Sequence, residues 1–170
     1  MKEIADRIVA GAAAIAGHGP RIEAGEPWPL SQAYGTEPES DWGPKEVLAH
    51  VAEMIPYWLA QIENVVGGEE PVPFGRVVSD PDRIERIGRD RVLPTRDLLE
   101  RITRSADEAA ARLRSLDAAA AGRVGLHPRL GELPVEAIAE RFIGDHLVDH
   151  DAQLATILEA RGNSDRSIPG

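Results

Sequence analysis

The chain contains no cysteine among its 170 residues. A disulfide framework, a thiolate metal site and a cysteine nucleophile are therefore excluded, and thiol chemistry would need a thiol from outside the protein. Basic residues are also few, because 19 lysines and arginines stand against 29 acidic residues and give a formal net charge of −10. Since nucleic-acid affinity depends on basic side chains that displace counterions from phosphates, we expect no nucleic-acid partner.

Long apolar runs are absent as well. No stretch reaches the roughly 18 apolar residues that a membrane-spanning helix needs. The opening stretch MKEIADRIVAGAAAIAG mixes acidic and basic side chains where a secretory signal has a basic start and a clean apolar run. We therefore expect a cytoplasmic protein with no membrane partner. The length favours a single domain, predicted over residues 1–162, with a flexible tail at 163–170.

Apolar residues at helical spacing predict four main helices. The first covers about residues 2–17, and its small central residues would let either another helix of the chain or a second copy approach closely. Residues 19–41 are rich in proline and glycine and are predicted to form a long irregular connection. The second helix is predicted to begin at Pro44 with Gly43 as N-cap, and to end at a pair of glycines.

The second half of the chain supplies the other two predicted helices. One starts near Pro81, is interrupted around Pro94 and continues to about residue 119. The other runs from Pro134 to about Arg161. No β-hairpin signal is convincing, so four amphipathic helices in one small domain favour an all-α bundle.

The last predicted helix carries the main chemical signal. His146 and His150 stand four residues apart and so share one helical face, about one turn apart. If this helix packs beside the second, His50 can join them, and three imidazoles with an open coordination position are typical of a catalytic divalent-metal site. This spacing also arises by chance, so the residues alone leave open that the histidines are simply hydrogen-bonded or exposed. His18 and His127 lie in glycine- and proline-rich corners and are interpreted as loop residues.

Four residues near these histidines could take part in the chemistry. Asp145 and Asp149 could accept hydrogen bonds from imidazole N–H groups, or could simply be solvated. Glu53 lies one helical turn after His50 and could act as a general base. Tyr57 could bind a ligand through its phenol. We therefore take Glu53, Tyr57 and Asp149 as the candidate catalytic residues.

The stretch DWGPKEVLAHVAEMIPYWLAQI, with Ala49-His50 as its Ala-His pair, is similar to the second-helix signature of the DinB-like (YfiT-like) superfamily. HPRLGELPVEAIAERFIGDHLVDHDAQL is similar to the family's second hallmark, a His-Pro and glycine corner followed by a helix with HxxxH. The sequence departs from the family at Gly43, where a capping serine is usual, and at Pro56, which should bend the second helix.

The resemblance implies an up-up-down-down four-helix bundle with long loops, frequently dimeric, that holds one divalent metal ion through His50, His146 and His150. Zinc and nickel are the expected ions. Characterised members include mycothiol-dependent maleylpyruvate isomerase and bacillithiol S-transferases. We therefore predict a homodimeric, metal-dependent enzyme that uses a low-molecular-weight thiol on a small electrophilic substrate. The alternatives are a metal-dependent hydrolase of a small amide or ester, and a non-catalytic bundle that binds a metal or ligand.

Overall fold

The computed structural model describes residues 1–32, 39–69 and 71–166. Its helices are α1 Lys2–Gly17, α2 Gly19–Ala24, α3 Pro44–Gly67, α4 Pro81–Asp90, α5 Thr95–Ser115, α6 Ala118–Ala121, α7 Val135–Ala139 and α8 His146–Arg166. A 3₁₀ turn spans Glu39–Asp41, a π-helical turn Glu140–Asp145 joins α7 to α8, and the strands are β1 Val72–Pro73, β2 Val124–His127 and β3 Gly131–Pro134. Within these ranges, no helix combines the length and apolar character needed to cross a membrane.

Four long elements form the bundle: α1, α3, α5 and the composite helix made of α7, the π-helical turn and α8. α1 packs against α5 and α8, and α3 packs against α5 and the composite helix. Fully buried apolar side chains from all four elements fill the space between them, including Ile8, Leu48, Ile102 and Leu147. The predicted all-α four-helix bundle is confirmed.

Residue pairs near the helix ends give the direction of each helix relative to α1. The carboxylate of Asp6, near the start of α1, binds Arg114, near the end of α5, so these two helices are antiparallel. Arg7 binds Glu140, which opens the π-helical turn near the beginning of the composite helix. The composite helix therefore runs parallel to α1.

The direction of α3 relative to α5 corrects the predicted topology. Lys45 at the start of α3 donates to Thr95 at the start of α5, and Glu63 near the end of α3 binds Arg112 near the end of α5. α3 and α5 are therefore parallel, and in chain order the four helices run up, down, down, up. The up-up-down-down order expected from the resemblance is wrong for this chain.

The physical reason is the connection between α3 and α5. After α3 ends, the chain turns back along that helix, so that Gly75 donates its N–H to Gln61 and Arg83 of α4 reaches Glu39 beyond the opposite end. α5 consequently starts at the end of the bundle where α3 started. The sequence pattern gives helix positions but not the path of the connections, so it could not supply this direction.

The start of α3 agrees with the prediction, and the preceding connection does not. Gly43 is the N-cap, Pro44 is the first helical residue, and the buried carboxylate of Glu46 accepts the backbone N–H groups of Gly43 and Ser31. Within the connection predicted to be irregular, however, α2 and the 3₁₀ turn are regular, while residues 33–38 lie outside the described residues. α2 starts at Gly19 and Pro20, where proline fits the first helical turn.

The structure contains a small sheet with a hairpin, although the sequence showed no convincing hairpin signal. β2 pairs antiparallel with β3, with Val124 opposite Pro134, and β1 adds a short parallel edge to β2. Gly131 has a φ of 75°, a left-handed conformation that glycine adopts without steric cost, and it opens β3 after the turn. The strands have two to four residues each, too few to show the alternation that predicts strands from sequence.

The last helix and the tail also differ from expectation. The predicted continuous helix from Pro134 is interrupted by the π-helical turn, and α8 continues to Arg166, beyond the predicted end at about Arg161. Of the predicted tail at 163–170, residues 167–170 lie outside the described residues. The single domain over 1–162 and the flexibility of the tail stay predictions.

The small residues of α1 pack inside the chain. A Cβ added at Gly11 would lie 2.8 Å from the Cβ of Leu147 in α8, so glycine lets these two helices approach closely. Ala5 and Ala12 on the same face are also buried. The monomer therefore accounts for this face, and the homodimer stays a prediction.

Candidate metal centre

Three histidines from two helices converge at one end of the α3 and α8 interface. The ring centroid of His50 lies 5.0 Å from that of His150 and 6.5 Å from that of His146, and the two α8 rings are 5.9 Å apart. His50 and His150 are both 4% exposed, whereas His146 is partly exposed. The convergence arises because α3 and α8 lie antiparallel and side by side, which brings sequence-distant residues to one level.

Hydrogen bonds orient the two buried rings. Nδ1 of His50 lies 3.2 Å from Oε1 of Glu53, and Nδ1 of His150 lies 2.9 Å from the amide oxygen Oε1 of Gln153. Both partners are acceptors, so each Nδ1 carries the proton and donates it. The lone pair of each imidazole is therefore on Nε2, the nitrogen left for a metal ion.

His146 is oriented in the same way by the backbone. Its Nδ1 lies 3.2 Å from the carbonyl oxygen of Arg141, which belongs to the π-helical turn. A carbonyl oxygen can only accept, so Nε2 of His146 also keeps its lone pair. Single π-helical turns inside longer helices are frequent at functional sites, and this one directly precedes the first histidine of α8.

The surroundings of the Nε2 atoms of His50 and His150 show whether these residues fit a metal ion. Both atoms are buried, and neither has a hydrogen-bond partner among the described residues. A buried polar atom without a partner costs about 1–3 kcal/mol, so such atoms need a specific explanation. Two unpartnered imidazole nitrogens close together fit a divalent cation, because neutral imidazole is a common ligand of such ions.

A carboxylate that the sequence analysis did not single out completes this group. One oxygen of Glu39 and one ring nitrogen each of His50 and His150 all lie within 4.8 Å of one another. Glu39 also accepts a 2.6 Å hydrogen bond from Arg83. It lies in the 3₁₀ turn, far from either histidine motif and outside any periodic pattern, so no sequence signal indicated it. His146 lies beside this group rather than within it, and its role as a ligand stays a prediction.

Burial keeps the two core histidines neutral. Desolvation lowers the pKa of His50 well below its usual value, and the neighbouring His150 and Arg83 lower it further. Desolvation likewise lowers the pKa of His150. Only neutral imidazole can bind a metal ion, so at neutral pH both rings are in the binding form.

A cavity of about 130 Å³ opens beside His50 and His146. One wall is aromatic, formed by Trp58 and Phe142, whose rings stack with centroids 4.1 Å apart. The remaining lining is charged or aliphatic and consists of Glu39, Arg76, Val77, Val78 and Arg83. The cavity is therefore small, and it combines an apolar wall with two guanidinium groups.

The three candidate catalytic residues have different surroundings. Glu53 is 4% exposed, and its Oε1 is shared between His50 and Arg76, so it orients a candidate ligand and balances a buried cation. The guanidinium carbon of Arg76 lies over the ring of Tyr57, 3.8 Å from the ring centroid. Asp149 is exposed on α8 and is not among the residues that line the cavity. Their catalytic assignment stays a prediction.

The other two histidines and Asp145 serve contacts elsewhere. Nε2 of His18 lies 2.8 Å from Asp151 and ties the end of α1 to α8. Nδ1 of His127 accepts the backbone N–H groups of the two residues that follow Pro128 in the hairpin turn. His127 is buried rather than a loop residue, since it ends β2. Asp145 accepts a hydrogen bond from Arg7.

The chain resembles known proteins in both its sequence and its fold. Residues 23–154 match the family model of the DinB superfamily. Among solved structures, the chain is similar to YfiT from Bacillus subtilis, described as a probable metal-dependent hydrolase with an unusual four-helix bundle topology. The two are 16% identical with a TM-score of 0.72, and the match covers 94% of this chain and 86% of the other. At this identity the similarity shows the fold alone. No curated protein matches the chain.

Proposed function

The chain belongs to the DinB superfamily, and on that premise we propose that it is a metal-dependent enzyme that uses a low-molecular-weight thiol on a small electrophile. The observation that supports this most is the pair of buried, unpartnered Nε2 atoms of His50 and His150 beside the Glu39 carboxylate. Their position next to a small cavity gives a ligand access to whatever the imidazoles hold.

In this proposal four side chains would hold the ion. They are His50, His150 and Glu39, whose candidate ligand atoms lie within 4.8 Å of one another, and the neighbouring His146. When bound, a divalent ion such as zinc or nickel would stabilise the thiolate form of a thiol, whose free pKa is about 8.5. The chain's own contribution is orientation, because Glu53 and other acceptors fix the imidazole rings before the ion arrives. The chain has no cysteine, so the thiol must come from solution.

The state of the two carboxylates near His50 favours a thiol over water as the nucleophile. Glu39 binds Arg83, and Glu53 binds Arg76, so both carboxylates already compensate buried cations. Hydrolysis of an amide or ester needs a group that carries a proton to the leaving nitrogen or oxygen. A thiolate that displaces a stable anion such as a halide needs no such group.

Hydrolysis of a small amide or ester is the second candidate, and the description of YfiT favours it. In that case a divalent ion would bring the pKa of a water ligand near 7. A protein carboxylate would still have to carry a proton to the leaving group, and Glu53, whose Oε1 lies 3.2 Å from Nδ1 of His50, is the candidate. A non-catalytic bundle that binds a metal or ligand is the alternative without turnover.

A thiol panel separates these possibilities. The protein is loaded with zinc or nickel and incubated with monochlorobimane and each of several thiols, and bimane conjugation is followed by fluorescence. We expect conjugation that depends on the metal and on one type of thiol, and that is lost in His50→Ala. His18→Ala is the matched control, because His18 binds Asp151 away from the cavity. No acceleration with any thiol would contradict the proposal, and metal-dependent cleavage of p-nitrophenyl acetate would then support hydrolysis.

A further inference from the structure

Two buried arginines face the cavity beside the histidines. The side chains of Arg76 and Arg83 are 8% and 5% exposed, and each is paired with one carboxylate, Glu53 and Glu39 respectively. Burying a guanidinium is costly unless its charge is balanced and its N–H groups are bound. The charges are balanced here, so the N–H groups decide what else these side chains can bind.

The donors of the two guanidinium groups are used unequally. Arg83 donates through Nη1 to the carbonyl oxygen of Val78 and through Nη2 to Glu39. Arg76 donates only through Nη2, to Glu53, and within the described residues its Nε and Nη1 have no protein acceptor. A guanidinium carries five N–H donors in a planar fork, so most of those on Arg76 remain available to a ligand.

The plane of Arg76 is held by its neighbours. Its guanidinium carbon lies 3.8 Å above the centroid of the Tyr57 ring, and Glu53 fixes one end of the fork. A guanidinium fixed in this way loses little freedom when it binds a planar anion such as a carboxylate, which it can contact through two parallel hydrogen bonds. Arg76 therefore has the geometry of a carboxylate-binding group that is oriented before the ligand arrives.

The charge balance of the site also favours an anionic ligand. With neutral histidines, Arg76 and Arg83 are cancelled by Glu39 and Glu53. A divalent ion would add two positive charges, and a bound thiolate would compensate one of them. A second negative group on the ligand would neutralise the charge that remains, which matters because uncompensated charge is costly away from water.

We propose that Arg76 binds a carboxylate of the ligand, so that the thiol used by this protein is a small thiol acid. This assignment rests on the proposed thiol function. The cavity volume of about 130 Å³ limits the part of the ligand that enters to a few carbons together with its polar groups. Trp58 and Phe142 would contact the carbon chain of that ligand.

A matched pair of thiols tests the assignment. 3-Mercaptopropionate and 3-mercapto-1-propanol differ in the carboxylate, and propionate carries the carboxylate without the thiol. Binding of each to cobalt-loaded protein is measured by calorimetry and, for the thiols, by the sulfur-to-cobalt charge-transfer absorbance. We expect the wild-type protein to bind the thiol acid about 10- to 100-fold more tightly than the thiol alcohol, because only the carboxylate can form charge-assisted hydrogen bonds with Arg76.

Variants identify the residue responsible. Arg76→Lys keeps the charge but loses the planar fork, and the double variant Arg76→Met with Glu53→Gln removes both partners without leaving a buried charge unpaired. We expect both variants to lose most of the preference. Affinity for the thiol alcohol should change little between wild type and Arg76→Lys, and little between Glu53→Gln alone and the double variant. Arg104→Met on the exposed face of α5 is the control and should keep the preference. Thermal unfolding verifies that each variant is folded.

Three outcomes are informative. A preference for the thiol acid that both Arg76 variants lose supports the assignment. A wild-type protein without the preference, or a preference that survives in both folded variants, overturns it. If neither thiol binds the metal but propionate binds in an Arg76-dependent way, the thiol function fails while the carboxylate-binding role of Arg76 is supported.

Discussion

Gln153 tests how the candidate metal centre is organised. Its amide oxygen accepts the Nδ1 proton of His150 at 2.9 Å, and its amide nitrogen donates to the backbone carbonyl of Glu39 at 2.7 Å. One side chain therefore fixes the orientation of a candidate ligand and holds the turn that carries the candidate carboxylate. Gln153→Leu keeps a similar volume but removes both hydrogen bonds.

The expected effect is a loss of metal affinity. Without the acceptor, the ring of His150 can turn in the metal-free protein, and metal binding must then reorder it with its Nδ1 proton unpaired. A buried N–H without a partner costs about 1–3 kcal/mol, which agrees with the 10- to 100-fold loss of affinity seen when such supporting residues are removed from metal sites. We therefore expect Gln153→Leu to bind zinc about 10- to 100-fold more weakly than the wild-type protein.

The assay is zinc competition against a chromophoric chelator at pH 7. Gln153→Glu separates the two hydrogen bonds, because a carboxylate still accepts from His150 but cannot donate to the Glu39 carbonyl; we expect it to lose less than about tenfold. Thr156→Val, an exposed residue of α8, is the control and should bind zinc like the wild-type protein. Unchanged zinc affinity in folded Gln153→Leu would refute the reasoning that Gln153 orients a ligand.

Two further predictions concern stability. Gly11→Ala should lower the free energy of unfolding, measured in urea, by about 1–3 kcal/mol, because the added Cβ would lie 2.8 Å from the Cβ of Leu147. Gly17→Ala is the control and should not destabilise the protein, because its added Cβ would have nothing within 4 Å. Equal effects of the two substitutions would contradict this packing. Hydrogen bonds from Arg89, together with the charges of Arg89 and Arg101, lower the pKa of Asp90 below its usual value of 3.8. The stabilising contribution of Asp90 is therefore complete above that value and is lost as the pH falls through the lower, folded-state pKa. Asp90→Asn should therefore be less stable than the wild-type protein in urea unfolding at pH 6, with a difference that shrinks toward pH 3, and a difference that grows would contradict the sign.

Local features of the sequence predicted most of the fold. The proline and glycine at the start of α3 specify a helix N-terminus, and apolar spacing specifies the buried faces, because both signals depend on neighbouring residues only. The spacing of His146 and His150 likewise placed two imidazoles on one helical face. The helix directions depend on the path of the connection after α3, which no local pattern describes, and the order based on the family resemblance was wrong.

The candidate site shows the same division. The three histidines belong to two recognisable helices, so their convergence could be predicted once the helices were assumed to be neighbours. Glu39 and Arg76 lie in connections, and they reach the site only through the tertiary fold. Glu53 was singled out as a base, yet its contacts with His50 and Arg76 depend on burial that the sequence does not reveal.

Metal content tests the central claim most directly. The protein is purified without a histidine tag, saturated with zinc or nickel, freed of excess ion and analysed by inductively coupled plasma mass spectrometry. We predict about one divalent ion per wild-type chain, loss of that ion in both His50→Ala and His150→Ala, and its retention in His18→Ala. Equal metal content in all four proteins, or a wild-type chain that retains no ion, would contradict this prediction.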